Sequence, residues 1–228
     1  MNLALLLSGG TGERLPSAVP KQYVSVAGRT VIAWCLDSLA KCALLDGVQI
    51  VAAPAWRDTI LADMPGNLPF LGFSDPGKTR QLSILNGLRD LSRTFHPSDA
   101  VLVHDAVRPF VPEALLRRCL TAMEGHEGVM PVLPVTDTVY ESRDGVRIAR
   151  LLERDHIYAG QAPEAFRLGP YLSANEALGP DRILSIRGAT EPAALGGLDM
   201  VLVAGEPGNF KITTPEDLDR CRMLLERE

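Results

Sequence analysis

Right after a short apolar run, residues 3–7, the sequence reads Ser8-Gly9-Gly10-Thr11-Gly12-Glu13-Arg14, and Pro20-Lys21-Gln22 comes a few residues later. Glycines let a backbone approach a phosphate chain closely, and successive N–H groups form a concavity that holds anions. Arg14 and Lys21 bring two cations to that concavity, so a triphosphate would gain from both kinds of donor. The bland alternatives are a glycine-rich turn that binds nothing and two solvated surface charges. Two nucleotide motifs fail here. A P-loop ends in Gly-Lys-Ser/Thr, which Gly12-Glu13-Arg14 does not supply. The dinucleotide fingerprint needs a third glycine where Leu15 stands, and no acid closes a second strand about twenty residues on.

The ligand must be held by such local groups, because the chain as a whole repels anions. Its net charge is −5 and its pI about 5.4. Nucleic-acid scaffolds and binders of anionic membranes need a positive field, so both are excluded. Length (228 residues), 46% hydrophobic and 22% charged residues fit an ordinary globular chain, read as a single domain over 1–228. Cys35, Cys42, Cys119 and Cys221 form no CxxC pair and have no zinc-ligand spacing, so they read as reduced thiols packed in helices. Residues 3–7 are too few, and lack the basic leader, for a signal peptide; no apolar stretch nears about 18 residues. The expectation is a cytoplasmic protein with no membrane and no nucleic-acid partner.

The elements that would position these groups alternate in period. Short apolar runs at 3–7, 48–53, 70–73, 100–104, 129–133 and 200–203 read as strands. Between them, apolar residues recur at helical spacing: Val31, Trp34, Cys35 and Leu39; Leu82, Leu85, Leu88 and Leu91; Leu115, Leu116 and Leu120. This is the pattern of an α/β fold with a mainly parallel twisted sheet and helices on both faces. The first loop then lies at the carboxyl end of a parallel strand, where such sheets bind ligands. Thr214-Pro215-Glu216-Asp217 predicts a helix start, with a hydroxyl N-cap, proline at the first position and acids in the first turn. Residues 136–152 break the alternation and read as a hairpin around Asp144-Gly145. Such an excursion, at about 136–153, suits an arm that reaches a neighbour.

Taken in order, Gly10-x-Gly12-x-Arg14 with Pro20-Lys21-Gln22, Arg80-x-x-Ser83, His104-Asp105-Ala106-x-Arg108-Pro109, Asp137-Thr138 and Asn209-x-Lys211-Ile212-Thr213 resemble the methylerythritol phosphate cytidylyltransferase family and its ribitol phosphate relatives. The match runs from residue 3 to residue 220. The glycine loop alone is shared with many sugar nucleotidyltransferases; the five segments together are what carries the resemblance. It implies a Rossmann-like nucleotidyltransferase fold and transfer of CMP from CTP to a polyol phosphate. It implies CTP binding by Ser8, Gly9, Gly10, Thr11, Gly12, Gly77, Arg80, Ser83 and Asp105, with Arg14 and Lys21 as the principal catalytic cations and Lys211 reaching the phosphates. It implies Mg²⁺ near Asp105. It further implies a homodimer whose β-hairpin arm brings Thr138 and Arg154, with Arg108, to the acceptor phosphate in a neighbour's site.

The chemistry asks for the same inventory. An acceptor phosphate oxygen attacks the α-phosphorus in line and charge builds on the equatorial oxygens and the departing pyrophosphate. No protein nucleophile is needed; cations, amides and a carboxylate-bound metal are. Local alternatives stand beside each role. Asp105 would cap the next turn, His104 would be a strand-end residue with satisfied hydrogen bonds, Arg154 would pair with Asp155 or Glu153, and Ser83 would face solvent.

Two departures fall on the acceptor side. Gln161-Ala162-Pro163-Glu164 stands where the family usually shows Gln-Thr-Pro-Gln, and Thr190-Glu191-Pro192-Ala193-Ala194 carries a proline that should interrupt a helix. These changes, with the Ser8-Gly9-Gly10 form of the loop, point toward ribitol 5-phosphate or another polyol phosphate as the alternative to methylerythritol phosphate. The other readings are a dehydrogenase, which lacks its fingerprint, and a non-catalytic nucleotide-binding domain, which would not need Lys21 and Asp105 together.

Overall fold

A computed structural model describes residues 1–10 and 19–226. Its strands are β1 (Asn2–Leu7), β2 (Ser25–Val26), β3 (Arg29–Thr30), β4 (Gly47–Val51), β5 (Phe70–Ser74) and β6 (Ala100–Asp105). They continue as β7 (Gly128–Pro134), β8 (Tyr140–Glu141), β9 (Arg150–Leu151), β10 (Tyr158–Gly160), β11 (Glu164–Arg167) and β12 (Met200–Ala204). The helices are α1 (Val31–Ala40), α2 (Arg57–Ala62), α3 (Arg80–Ser92), α4 (Glu113–Thr121), α5 (Leu168–Glu176), α6 (Gly179–Ser185), α7 (Thr190–Leu195) and α8 (Pro215–Leu225).

The main sheet has eight strands. Pairs β5–β4, β4–β1, β1–β6 and β7–β12 are parallel; β10 and β11 are antiparallel and lie beside β7, with β11 wedged between β7 and β6. The alternation of side chains explains the layers. On β1, Ala4 and Leu6 join α1 and α4 in one core, while Leu3 and Leu5 join α3 and α5 in the other. A third cluster packs α8 against Val26, Val31, Val107 and Ile212.

All six predicted strands form, within two residues at each end. The antiparallel pair β10 and β11 was not predicted. Between Gly160, opposite Val132, and Ala165, opposite Val129, this strand carries four residues against two on β7. That excursion, residues 161–164, holds the cis Ala162–Pro163 peptide. Glu164 pairs with Val103, so the excursion runs beside His104 and Asp105 at the carboxyl rim of β6.

The start of α8 is as expected: Thr214 accepts from Asp217 N, and Asp217 accepts from Thr214 N in a capping box. Three expectations need correction. Pro192 does not interrupt a helix; it sits in the first turn of α7, where an N–H would have no intrahelical partner. Cys42 lies just past α1, although all four thiols are free and buried. The hairpin at 136–152 exists, but only Tyr140–Leu151 and Glu141–Arg150 pair, and its connection is a longer loop in which Asp144 accepts from Val146 N and Arg147 N. No helix among the described residues is long and apolar enough to cross a membrane.

Candidate active site

A cleft of about 660 Å³ opens at the carboxyl rim of β1 and β6, a size that suits a nucleotide. Gly9, Gly10, Lys21, Gly77, Arg80, Ser83, Asp105 and Lys211 line it. The walls come from loops that follow strands, as in other open α/β sheets.

The first loop is clamped from below. Gln22 donates its carboxamide N–H groups to Ser8 O and Gly10 O, both at 2.8 Å. Tyr23 Oη donates to Ser8 O at 3.1 Å and lies 2.9 Å from Ser8 Oγ, so the buried Ser8 side chain supports the loop from beneath it. Gly9 is packed so closely that a Cβ would lie 2.4 Å from Pro76 Cβ. Opposite, Gly77 N donates to Ser83 Oγ, which donates to Thr79 O, both at 3.0 Å. Ser83 is therefore buried and holds the entry to α3 rather than facing solvent. A Cβ at Gly77 would meet the Leu82 backbone carbon at 2.8 Å, which explains the glycine by packing.

The floor is a charge cluster. Asp105 meets Lys211 Nζ at 2.8 Å, Arg80 Nε and Nη2 at 3.1 Å, and Arg108 Nε at 3.9 Å. Burial pushes the Asp105 carboxyl up, but Arg80 and then Lys211 pull it down harder, leaving it below the usual carboxylate range. It is an anion at any working pH, held by cations rather than capping a turn. Lys21 Nζ donates to Ile212 O at 2.9 Å, joining the first loop to the C-terminal segment. Arg108 is turned inward, with Nη1 donating to Asn209 O at 2.6 Å.

Two buried groups behind Asp105 have incomplete bonding. His104 Nε2 faces Arg108 O at 3.2 Å, but among the described residues Nδ1 has no partner, which amends the expectation of a fully satisfied ring. Burial lowers its pKa to about 4, so it is neutral. Glu164 Oε2 also lacks a hydrogen-bond partner among the described residues and stands 3.7 Å from Arg80 Nη2. Burial, first, and the nearby Asp105 raise the Glu164 pKa to about 7 against the pull of Arg80.

The structure thus brings together Gly9, Gly10, Lys21, Gly77, Arg80, Ser83, Asp105 and Lys211. Thr11, Gly12 and Arg14 lie outside the described residues. Thr138 and Arg154 are exposed and do not line the cleft; Arg154 Nη1 donates to Thr136 O at 2.8 Å and Nε lies 3.9 Å from Asp155. Sequence reasoning assigned no role to Gln22, Tyr23 or Glu164. Gln22 was visible as the neighbour of Lys21; Glu164 was visible only as a carboxylate where a neutral amide was expected.

A triphosphate-sized cleft, glycine-lined and cationic at a parallel-strand rim, defines a nucleotidyltransferase. Comparison with known proteins narrows the class. The family profile described as "IspD: 2-C-methyl-D-erythritol 4-phosphate cytidylyltransferase" matches residues 3–227, and the chain belongs to that family. It is 38% identical to the 2-C-methyl-D-erythritol 4-phosphate cytidylyltransferase of Paraburkholderia xenovorans, covering 98% of this chain and 96% of that protein. It is 37% identical to the bifunctional enzyme IspD/IspF of Maricaulis maris, covering 99% of this chain but 57% of that longer protein. The chain thus spans a little over half the length of its bifunctional relatives. Among solved structures, the 4-diphosphocytidyl-2C-methyl-D-erythritol synthase of Anaerococcus prevotii superposes with a TM-score of 0.80 at 26% identity, covering 99% and 96% of the two chains.

Proposed function

We propose that this cleft transfers CMP from CTP to 2-C-methyl-D-erythritol 4-phosphate, releasing pyrophosphate and serving isoprenoid precursor synthesis. The observation that carries the reading is the gathering of Lys21, Arg80 and Lys211 in one cleft, where Arg80 and Lys211 pair with one ionised carboxylate, Asp105, beneath the loops that hold Gly9, Gly10 and Gly77. Four chain segments supply these groups, and a triphosphate beside a second phosphate needs that density of positive charge.

The acceptor's phosphate oxygen is already a nucleophile near neutral pH, so the protein's task is positioning and charge. Lys21, with Arg14 beside it in sequence, stabilises the equatorial oxygens at the α-phosphorus. Lys211 and Arg80 leave Asp105 in part to hold the other phosphates. Mg²⁺ fits this site: it is usually bound through one or two carboxylates plus substrate phosphates, and Asp105 is one permanently ionised carboxylate at the cleft. The metal would neutralise charge on the leaving pyrophosphate. Asp105 would hold it, with no second protein carboxylate needed.

The acceptor half is completed by a second subunit. Tyr140, Val146, Ile148 and Leu151 leave the arm with large exposed apolar side chains, and a homodimer that covers them would carry Thr138 and Arg154 to the neighbour's acceptor. The test is to incubate the protein with Mg²⁺, CTP and separate methylerythritol, ribitol and glycerol phosphates. CDP-methylerythritol as the fastest product is expected; faster CDP-ribitol formation transfers the reading to that acceptor, and no CDP product with any of them ends it.

A further inference from the structure

Glu164 begins β11 opposite Val103, and its side chain points to the face of the sheet that carries α3, the face on which Phe166 joins the core two residues later. It is 7% exposed. Its neighbours of either charge come from every element around it: Arg80 on α3, Asp105 at the end of β6, Arg108 in the following turn, Lys211 in the C-terminal segment, Tyr171 on α5 and Cys119 on α4. Among the described residues, Arg80 is the one it meets as an ion pair. That guanidinium turns Nε and Nη2 to Asp105 and Nη2 also to Glu164, which leaves Nη1 as the nitrogen committed to neither carboxylate.

We propose that Glu164 is a positioning residue that holds Arg80 back on the sheet side of the cleft and so sets how strongly this site attracts the phosphates of its nucleotide. The inference rests on the nucleotide reading of the cleft and deepens it. With a neutral amide at 164, Arg80 would answer to Asp105 alone, and one negative charge would be gone from beneath the phosphate site. With the carboxylate, an incoming triphosphate must draw Arg80 away from two anions. Among the described residues Oε2 is buried without a hydrogen-bond partner, so an amide placed there breaks no hydrogen bond at that atom. The carboxyl pKa of about 7 means that the restraint strengthens between pH 6 and pH 8.

The test compares Glu164→Gln with the parent protein in Mg²⁺ buffer, measuring CTP dissociation constants and the KM for CTP at pH 6 and pH 8. Titration of the nucleotide phosphates affects both proteins alike, so the ratio between them is the readout. At pH 8 the variant should bind CTP about fivefold more tightly, the scale of removing one nearby unit charge, with kcat changing less. At pH 6 the ratio should fall toward one. In an Arg80→Gln background the effect of the second substitution should shrink. Equal CTP affinity for parent and variant at pH 8, or a ratio independent of pH, overturns the positioning role while leaving the nucleotide site intact. Failure of the parent itself to bind CTP overturns both readings together. Should Glu164→Gln not fold, by circular dichroism and a cooperative melt, Glu164→Asp, which keeps the charge, must retain the parent's pH dependence; a flat profile there also rejects the role.

Discussion

The cleft and the arm carry the same kinds of side chain in opposite settings. Around Asp105, itself buried, charges from residues 80, 108 and 211 meet at the floor of the cleft, where a desolvated carboxylate is paired more strongly than an exposed one. On the arm, Arg150–Glu141, Arg147–Asp144 and Arg154–Asp155 are exposed pairs between near neighbours, which solvent screens and which add little to stability. Val146 is 84% and Ile148 68% exposed there. The cleft is organised within one chain; the arm keeps apolar surface that one chain leaves uncovered. A charged cluster explains itself by its partners, whereas an arm is explained only by what it touches.

The contrast can be broken most severely at Lys21. Lys21→Ala should lower turnover roughly a hundredfold or more with the fold intact, the scale for losing one preorganised donor to transition-state charge. Steady-state kinetics beside a circular dichroism spectrum would check this, and unchanged turnover would remove Lys21 from the chemistry.

Next in size is the pH response of the buried rim. His104 is neutral when folded, with its pKa lowered from 6.5 to about 4, so the unfolded chain binds an extra proton between those values. Stability from this group is complete above pH 6.5 and lost as pH falls to 4, on the order of 3 kcal/mol. Urea unfolding of the parent and His104→Gln over that range should show a shallower acid loss in the variant. Parallel slopes would contradict a buried neutral imidazole.

The smallest effect falls on the arm. Arg154→Ala should reduce kcat/KM for the acceptor about tenfold and leave CTP binding unchanged, as expected for one lost charged hydrogen bond to a phosphate. Light scattering should show a dimer. A monomer with full activity would separate the arm from catalysis.

Much of this was legible from residue types alone. The six long strands showed as apolar runs because β-core side chains on both faces must be hydrophobic. β10 and β11 did not, since three or four residues around Gln161-Ala162-Pro163 give no period to read. The helix α5 opens with Leu168-Gly169-Pro170, a start that looks like a turn. The motif residues of the cleft could be matched in order, yet which cation faces which carboxylate could not. Asp105 and Lys211 are 106 positions apart, and only the folded sheet makes them neighbours.

The Gln161 side chain has a consequence of its own. Its amide nitrogen donates to Glu206 O at 3.0 Å while its oxygen accepts from Glu206 N at 2.9 Å, riveting the 161–164 excursion to the strand-end loop that leads to Lys211. Asn209 adds a second rivet by donating to Ala162 O at 2.7 Å. These bonds tie the backbone of the excursion to the segment that carries Lys211, so a change of backbone path at 161–164 is passed on to the lysine on the other side of Asp105.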